Sequence, residues 1–442
     1  MKYEKNLESI VSIIKQGEKS LNQFRIGVEF EHIVVKEDTL QSVTYYGEEG
    51  IEGILNKLLL KGYKGKYEGE YLVGLTGEDR EITLEPGGQL EIGIKPCDTI
   101  DEIKSIYFNF LNDIVPILEE RNLLLMAIGY HPKSSIDQIP FNPKKRYEYM
   151  SKYLGEKGKY AHNMMKGTAA LQVSIDYINE EDFIRKFRVA NFISPLLYLI
   201  SDNSPIFEGQ IYYKFGLRSL IWENTDKQRS DIVPNSLNKK FGYKDYGKYI
   251  LSVPPILVMK DGEFIGTGDK TVEQIMEEYT FSEEEIAHIM TMVFPDVRAK
   301  HYIELRMGDS LPYPYNFSYI TLIKGIFYNE IALEYLYKLS LRAEDDQIHI
   351  AKDLMHEKGF GAHIGSKAAY DFIRIMFDLA KKALSPEEKE LLMPLEKLLI
   401  NKNNLSTISK ERVRNEGVSG LKWCNLNQWV RGEEDVHNKG II

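Results

Sequence analysis

Apolar and polar positions alternate strictly in four short stretches of this chain, and a period of two predicts strands. In IGVEFEH, Ile26, Val28 and Phe30 share one face, with Glu29 and Glu31 on the other. In QLEI, Gln89 and Glu91 oppose Leu90 and Ile92, and Glu85 stands just before a Pro86-Gly87-Gly88 turn. In LQVSIDY, Gln172, Ser174 and Asp176 oppose Leu171, Val173, Ile175 and Tyr177. In YIELRM, Tyr302, Glu304 and Arg306 oppose Ile303, Leu305 and Met307. The apolar run LLLMAIGY, 123–130, predicts a buried strand. Helical spacing marks Leu7, Ile10, Val11 and Ile14, and residues 51–62. It also predicts a long helix from an N-cap at Asp98 to about Arg121, bent at Pro116, and another helix over 180–200. Beyond Pro312 and Pro314 the pattern is mostly helical over 317–400, with Ser385-Pro386-Glu387-Glu388 as a helix start, and the tail from about 401 is polar. These elements predict an α+β body, residues 1–314, with a helical C-terminal portion, 315–442, packed on the same domain.

On a single strand, a polar face describes any solvated antiparallel sheet. Four strands with acidic or amide pairs ask for more, because carboxylates facing each other across a sheet repel. A solvated face intersperses Lys and Thr, and these faces contain no Lys. Clustered carboxylates become favourable when hard cations such as Mg²⁺ sit between them. The absence of His and Cys from the pattern argues against zinc. Ions of this type accompany phosphoryl chemistry, which is mostly positioning and charge neutralisation.

Composition narrows the class. A chain of 442 residues, 43% hydrophobic and 28% charged, has ample apolar material for a core. Its net charge of −10 runs against a general nucleic-acid binder. Two cysteines, Cys97 and Cys424, do not build a secreted disulfide framework. No run approaches the ~18 apolar residues of a membrane helix, and the acidic start is unlike a signal peptide. The expectation is a cytoplasmic protein of a reducing compartment, with neither nucleic acid nor membrane as partner.

Phosphate loops are missing: GTGDKT, 266–271, and GAHIGSK, 361–367, lack the required spacing and read as ordinary turns. Cationic side chains must then hold any phosphate. RSLIWENTDKQRS, 218–230, offers Arg218, Lys227 and Arg229 around Trp222, and Arg suits bidentate recognition of carboxylate or phosphate. Arg306 shares a strand face with Glu304. Arg146, in PKKRYEYM, and Lys166, in MMKGTAA, are open between surface and functional roles. His131 and His162 are isolated and read as structural, and neither cysteine has a catalytic His motif beside it.

Taken in order, GVEFEH, TLEPGGQLEI, RYEYM, LQVSIDY, RKFRVANFISPLLYLISDNSP, RSLIWENTDKQR and VFPDVRAKHYIELRMGD resemble the glutamate–cysteine ligase family of plant and proteobacterial type. The resemblance runs from about Phe24 to Asp309 and weakens beyond Pro314. It implies a glutamine synthetase-like antiparallel sheet funnel with metals on its inner face. It also implies ATP-dependent joining of the L-glutamate γ-carboxyl to the L-cysteine amine through a γ-glutamyl phosphate, the first step of glutathione-type thiol synthesis. Residue by residue, it implies metal ligands at Glu29, Glu31, Glu85, Glu91, Gln172 and Glu304 for roughly two or three Mg²⁺ ions. Arg306 and Arg229 are implied as catalytic cations, and Arg218, Trp222, Lys166 and Arg146 as substrate-binding groups. MMKGTAA departs from the family's Arg-Thr-Cys-Thr wording, which leaves the amine acceptor open. The alternatives are a ligase of the same fold using another amine, an ATP:guanidino phosphotransferase, and a non-enzymatic acidic metal scaffold. A monomer or a homodimer is expected.

Overall fold

In a computed structural model, which describes residues 2–430, the alternating stretches join one nine-stranded sheet. Its strands are β1 (Ile26–Lys36), β2 (Lys64–Glu68), β3 (Tyr71–Thr76), β4 (Arg80–Leu84), β5 (Leu90–Cys97), β6 (Leu123–Met126), β7 (Ala170–Ile175), β8 (Val297–Ala299) and β9 (Ile303–Asp309). They run β8-β9-β7-β1-β5-β4-β3-β2, every neighbour antiparallel. The far part of β1, Ile33 to Lys36, pairs with β6 instead. β1 thus lies at the centre, with Glu29 opposite Gln172 of β7 and Glu31 opposite Glu91 of β5.

The face opposite these polar residues is apolar. Ile26, Val28, Phe30, Ile92, Leu171, Val173, Ile303 and Leu305 are buried there, in one core cluster with residues of the helices Ile100–Glu119 and Tyr315–Phe327. The Phe30 and Tyr107 rings meet at 4.4 Å, and Phe30 and Phe317 at 6.1 Å. The Tyr315–Phe327 helix is buried on nearly every side, as an all-round apolar helix must be. It lies against β7, and the helices Glu330–Ser340, Ala369–Lys381 and Pro386–Ile400 pack around it. The C-terminal helices therefore share their apolar core with the sheet.

Several predicted boundaries move. Thr99, not Asp98, caps the long helix: its hydroxyl accepts from the Glu102 N–H at 3.2 Å, and the Glu102 carboxylate returns to the amides of Asp98 and Thr99. The helix runs through Pro116 to Glu119. The predicted 180–200 helix is two, Glu180–Phe192 and Ser194–Ile200, because Pro195 has no N–H to continue the first. Tyr302 lies outside β9.

The polar tail is structured. A helix, Leu405–Glu416, is followed by a segment that lines β6: Leu426 N donates to Leu125 O at 2.8 Å, and Ala127 N to Cys424 O at 3.0 Å. The Asn427 amide serves Leu123 O and Leu125 N. The open edge of β6 is covered in this way. Residues 431–442 of the predicted C-terminal portion lie outside the described residues. Both cysteines are free and buried. Among the described residues, no helix is long and apolar enough to cross a membrane.

Candidate active site

The polar face of the sheet floors a cavity of about 240 Å³. Strand pleating aims Glu29 and Glu31 of β1, Glu91 of β5 and Gln172 of β7 into it. Glu85 joins them from the end of β4, ahead of the Pro86-Gly87-Gly88 turn. This turn packs so closely on the end of the Ala161–Gly167 helix that a Cβ at Gly87 would stand 2.6 Å from the Lys166 carbonyl. Gln89 staples the two together, accepting from Gly87 N and donating to the carbonyls of Met165 and Thr168.

Arg146, Arg218, Arg298 and Arg306 form the basic part of the wall of the same cavity. A bulge places Arg306: between Leu305 and Gly308, β9 spends one residue more than β7. Gly308 is required there, since a Cβ would meet Leu171 O at 2.5 Å. The Arg306 guanidinium donates to Gln172 Oε1, while Gln172 Nε2 donates to Glu31 at 2.9 Å. Arg218 is held from behind, donating to the carbonyls of Arg306 and Met307, and its Nε has no partner. Apart from Thr168 and Thr291, the remaining wall is largely apolar: Tyr147 and Met150 from the Lys145–Gly155 helix, Met164 and Met165, Trp222, Met292 and Phe294. The indole N–H of Trp222 is buried without a partner.

The carboxylates are held under tension. Burial, then the charges of Glu91 and Glu304, push Glu29 up to about 7. Burial, then Glu85 and Glu91, push Glu31 up to about 8. Glu91 is raised by burial and by Glu85. Among the described residues, no three Asp, Glu, His or Cys side chains gather closely enough to hold an ion between them. Donor type and charge nonetheless fit a hard divalent cation: four carboxylates, three of them pushed up from the ordinary range, line one cavity.

Three predicted site residues take other places. Glu304 does not line the cavity: it is fully buried and gripped by Arg298, whose Nε and NH2 reach its two oxygens at 2.5 and 3.1 Å. Burial alone would raise its carboxyl, but Arg298, Lys300 and Arg306 outweigh that and hold it well below the usual range. Its role is to anchor Arg298, a cavity residue that the alternation pattern does not single out. The signal was available, because the tight β8–β9 hairpin puts Arg298 directly across from Glu304. Arg229 is buried beneath the wall, saturated by Asp226 at 2.7 Å and by the carbonyls of Pro254 and Met292. Lys166 points away, donating to Ile136 O over the Phe141 ring. The methionine wall has no signature in the sequence pattern, because its four methionines come from three separate segments.

His131 and His162 are structural. His162 Nε2 lies 3.1 Å from Ser151 O. His131 Nδ1 accepts from the amides of Lys133 and Ser134 at 3.2 and 3.1 Å, and burial lowers the ring to about 3. Below the ordinary histidine pKa of ~6.5, the unfolded chain binds a proton there that the folded chain refuses, so this group lowers stability on acidification. Its expected contribution is about 1.4 kcal/mol per pH unit between pH ~6 and ~4. His131→Asn, which keeps an acceptor for the two amides, should flatten the fall of melting temperature between pH 7 and 5. Parallel curves for variant and parent would refute the buried neutral ring.

The glutamate-cysteine ligase family 2 model matches residues 25–357. The chloroplastic glutamate–cysteine ligase of Brassica juncea is 30% identical over 337 residues, 74% of this chain and 65% of that protein. Glutamate–cysteine ligase A of Oryza sativa subsp. japonica, also chloroplastic, is 32% identical over 337 residues, 74% of this chain and 68% of the relative. The chain thus spans just under two thirds of the Brassica protein. Among solved structures, a glutamate–cysteine ligase of Francisella tularensis in complex with AMP superposes with a TM-score of 0.57 at 13% identity, covering 93% of this chain and 89% of the other. A bifunctional glutathione synthetase of Pasteurella multocida gives 0.51 at 12% identity, covering 98% of this chain and 54% of the other. At these identities the likeness is one of fold: helices around a large antiparallel sheet. With its motifs in family order and its matched span running through the whole cavity, the chain belongs to glutamate–cysteine ligase family 2.

Proposed function

We propose that the protein joins the γ-carboxyl of L-glutamate to the amino group of L-cysteine in an ATP-dependent reaction, releasing γ-glutamylcysteine, ADP and phosphate. The observation that carries this reading is the charge of the cavity, where Glu29, Glu31, Glu85 and Glu91 line one space together with Arg146, Arg218, Arg298 and Arg306. Two anions, glutamate and ATP, must meet, and the arginines together with cations that the carboxylates would hold would offset their repulsion. In the first step a γ-carboxylate oxygen attacks the γ-phosphorus and the bond to the β-phosphate oxygen breaks. In the second, the deprotonated amine attacks the acyl carbon and phosphate leaves. Neither step needs a protein nucleophile, and none of the cavity-lining residues is Cys, Ser or His.

Arg306, fixed by Gln172, faces the charge that develops on the transferring phosphoryl group. Arg218 and Trp222 receive glutamate, and the methionine wall takes the acceptor's side chain, whose small soft thiol suits thioether neighbours. Glu29, Glu31, Glu85 and Glu91 would hold Mg²⁺, roughly two or three ions, whose charge would offset that of the phosphates. Gln172 and Glu304 are assigned instead to holding Arg306 and Arg298. The reading places the protein in the cytoplasm, as a monomer or a homodimer.

The test is ADP release with Mg²⁺, ATP, glutamate and single amino acids. Cysteine should stimulate release at least about tenfold and give γ-glutamylcysteine in stoichiometric amount. Stimulation by another amine but not by cysteine assigns a different acceptor, which is the alternative that the Met164–Met165 wall leaves open. A stable phosphorylated product without an acceptor would mean a phosphotransferase, and cation binding without turnover a scaffold.

A further inference from the structure

The C-terminal helix Asp345–Lys358 contributes no residue to the cavity, yet one of its faces is built against the back of the arginine wall. His349, Lys352 and His356 recur at spacings of three and four and so share that face. Each meets a carboxylate. Lys352, 1% exposed, reaches both Asp231 and Asp296, the latter at 2.6 Å. His349 Nδ1 lies 3.1 Å from Asp231. His356 donates from Nδ1 to Phe215 O at 2.9 Å and from Nε2 to Glu223 at 3.1 Å. Both partners of His356 are acceptors, so both ring nitrogens carry hydrogen and the ring is an imidazolium.

These carboxylates stand on the backbone that holds the site. Asp296 O accepts from Arg306 N at 2.9 Å, and Asp296 N donates to Asp231 O at 2.7 Å. Residues 230–231 also pair in parallel with 294–295, so Phe294 of the cavity wall belongs to the same bridge. Tyr198 OH donates to the second oxygen of Asp296 at 2.7 Å. Glu223 lies in the short helix Leu217–Glu223 with Arg218 and Trp222, and the Trp222 ring stands 5.6 Å from the Arg306 guanidinium.

We propose that this helix face is a strut that fixes the arginine wall, with Lys352 and His356 as positioning residues for Arg306, Arg218 and Trp222. The proposal rests on the ligase reading for its catalytic consequence. A buried Lys between two Asp is weak support for stability as such, since apolar residues often replace such sets without loss. What it supplies is placement: Asp296 sits on the segment bonded to the strand of Arg306, and Asp231 on the segment bonded in turn to Asp296. Displacing a positioned cation by about 1 Å can cost on the order of 10²-fold in rate.

The test compares the full-length protein with Lys352→Met, Lys352→Arg and His356→Gln, all assayed well below their melting temperatures. Lys352→Met should lose about 10²-fold in kcat with little change in KM for glutamate or ATP, and Lys352→Arg should restore most of it. His356→Gln leaves no unpaired buried pair of Asp residues, so it is the arm least exposed to misfolding. It should lower kcat by about tenfold or more through Arg218 and Trp222. In parallel, the Trp222 emission is read without substrates, as the signal lost on Trp222→Phe in each background. A shifted emission in Lys352→Met supports the strut even if no amino acid in the panel elicits ADP release, which would defeat only the ligase reading. Lower melting temperatures with unchanged kcat and unchanged Trp222 emission would overturn the strut.

Discussion

Glu29→Gln is expected to melt at a higher temperature than the parent in EDTA at pH 8, while releasing ADP at least about 10²-fold more slowly with Mg²⁺ and substrates. Glu29 is half-buried beside Glu91 and Glu304, and its carboxyl is pushed up to about 7. A carboxyl raised in the fold favours the folded state least above its folded pKa, where the protein must keep the charge buried. An amide of the same shape removes that penalty, on the order of 1–3 kcal/mol. The same change deletes an oxygen ligand and the charge that a cation would need. Glu304→Gln should do the opposite. It strips Arg298 of its bidentate partner in a fully buried position, and breaking such a pair costs about 3–5 kcal/mol. Thermal unfolding of both variants with activity measured in parallel decides the matter. A destabilised but active Glu29→Gln would sink the reading of strained carboxylates, and an unperturbed Glu304→Gln would sink the anchoring role.

Arg306→Ala should lower kcat by roughly 10²–10³-fold, the usual cost of removing one preorganised donor from a site of developing charge. KM should change far less, because the lost interaction strengthens in the transition state. The fold should tolerate the change, within about 1 kcal/mol, because Glu304 keeps Arg298 and Gln172 regains water from the cavity. Arg306→Lys is not expected to rescue it, since a lysine cannot span Gln172 and the substrate with a planar fork. A raised KM at unchanged kcat would reduce Arg306 to a ground-state binding group.

Alternation placed Glu29, Glu31, Glu91 and Gln172 on one face correctly, because pleating is a local rule. The same rule put Glu304 on that face but could not tell that Arg298 would reach it first, which depends on a pairing between strands. Arg229 and Trp222 sit in one motif, yet Trp222 lines the cavity and Arg229 is spent on Asp226 and backbone carbonyls beneath it. Lys166 fails for a similar reason: its helix end presents Met164, Met165 and Thr168 to the cavity and turns the ammonium towards Ile136. The polar tail gave no period to read because its partner is a strand edge some 300 residues earlier, reached through backbone bonds and Asn427.

The sequence by itself determined the strands, their apolar and acidic faces, the helical C-terminal portion and, through motif order, the family. All of these rest on residues near one another in the chain, where side-chain period and local wording suffice. Only the tertiary structure decided which charges meet: Arg298 with Glu304, Arg306 with Gln172, and the Lys352 face with Asp231 and Asp296. These are contacts between distant segments, and a charge buried away from water takes whichever partner the packing brings within hydrogen-bond reach.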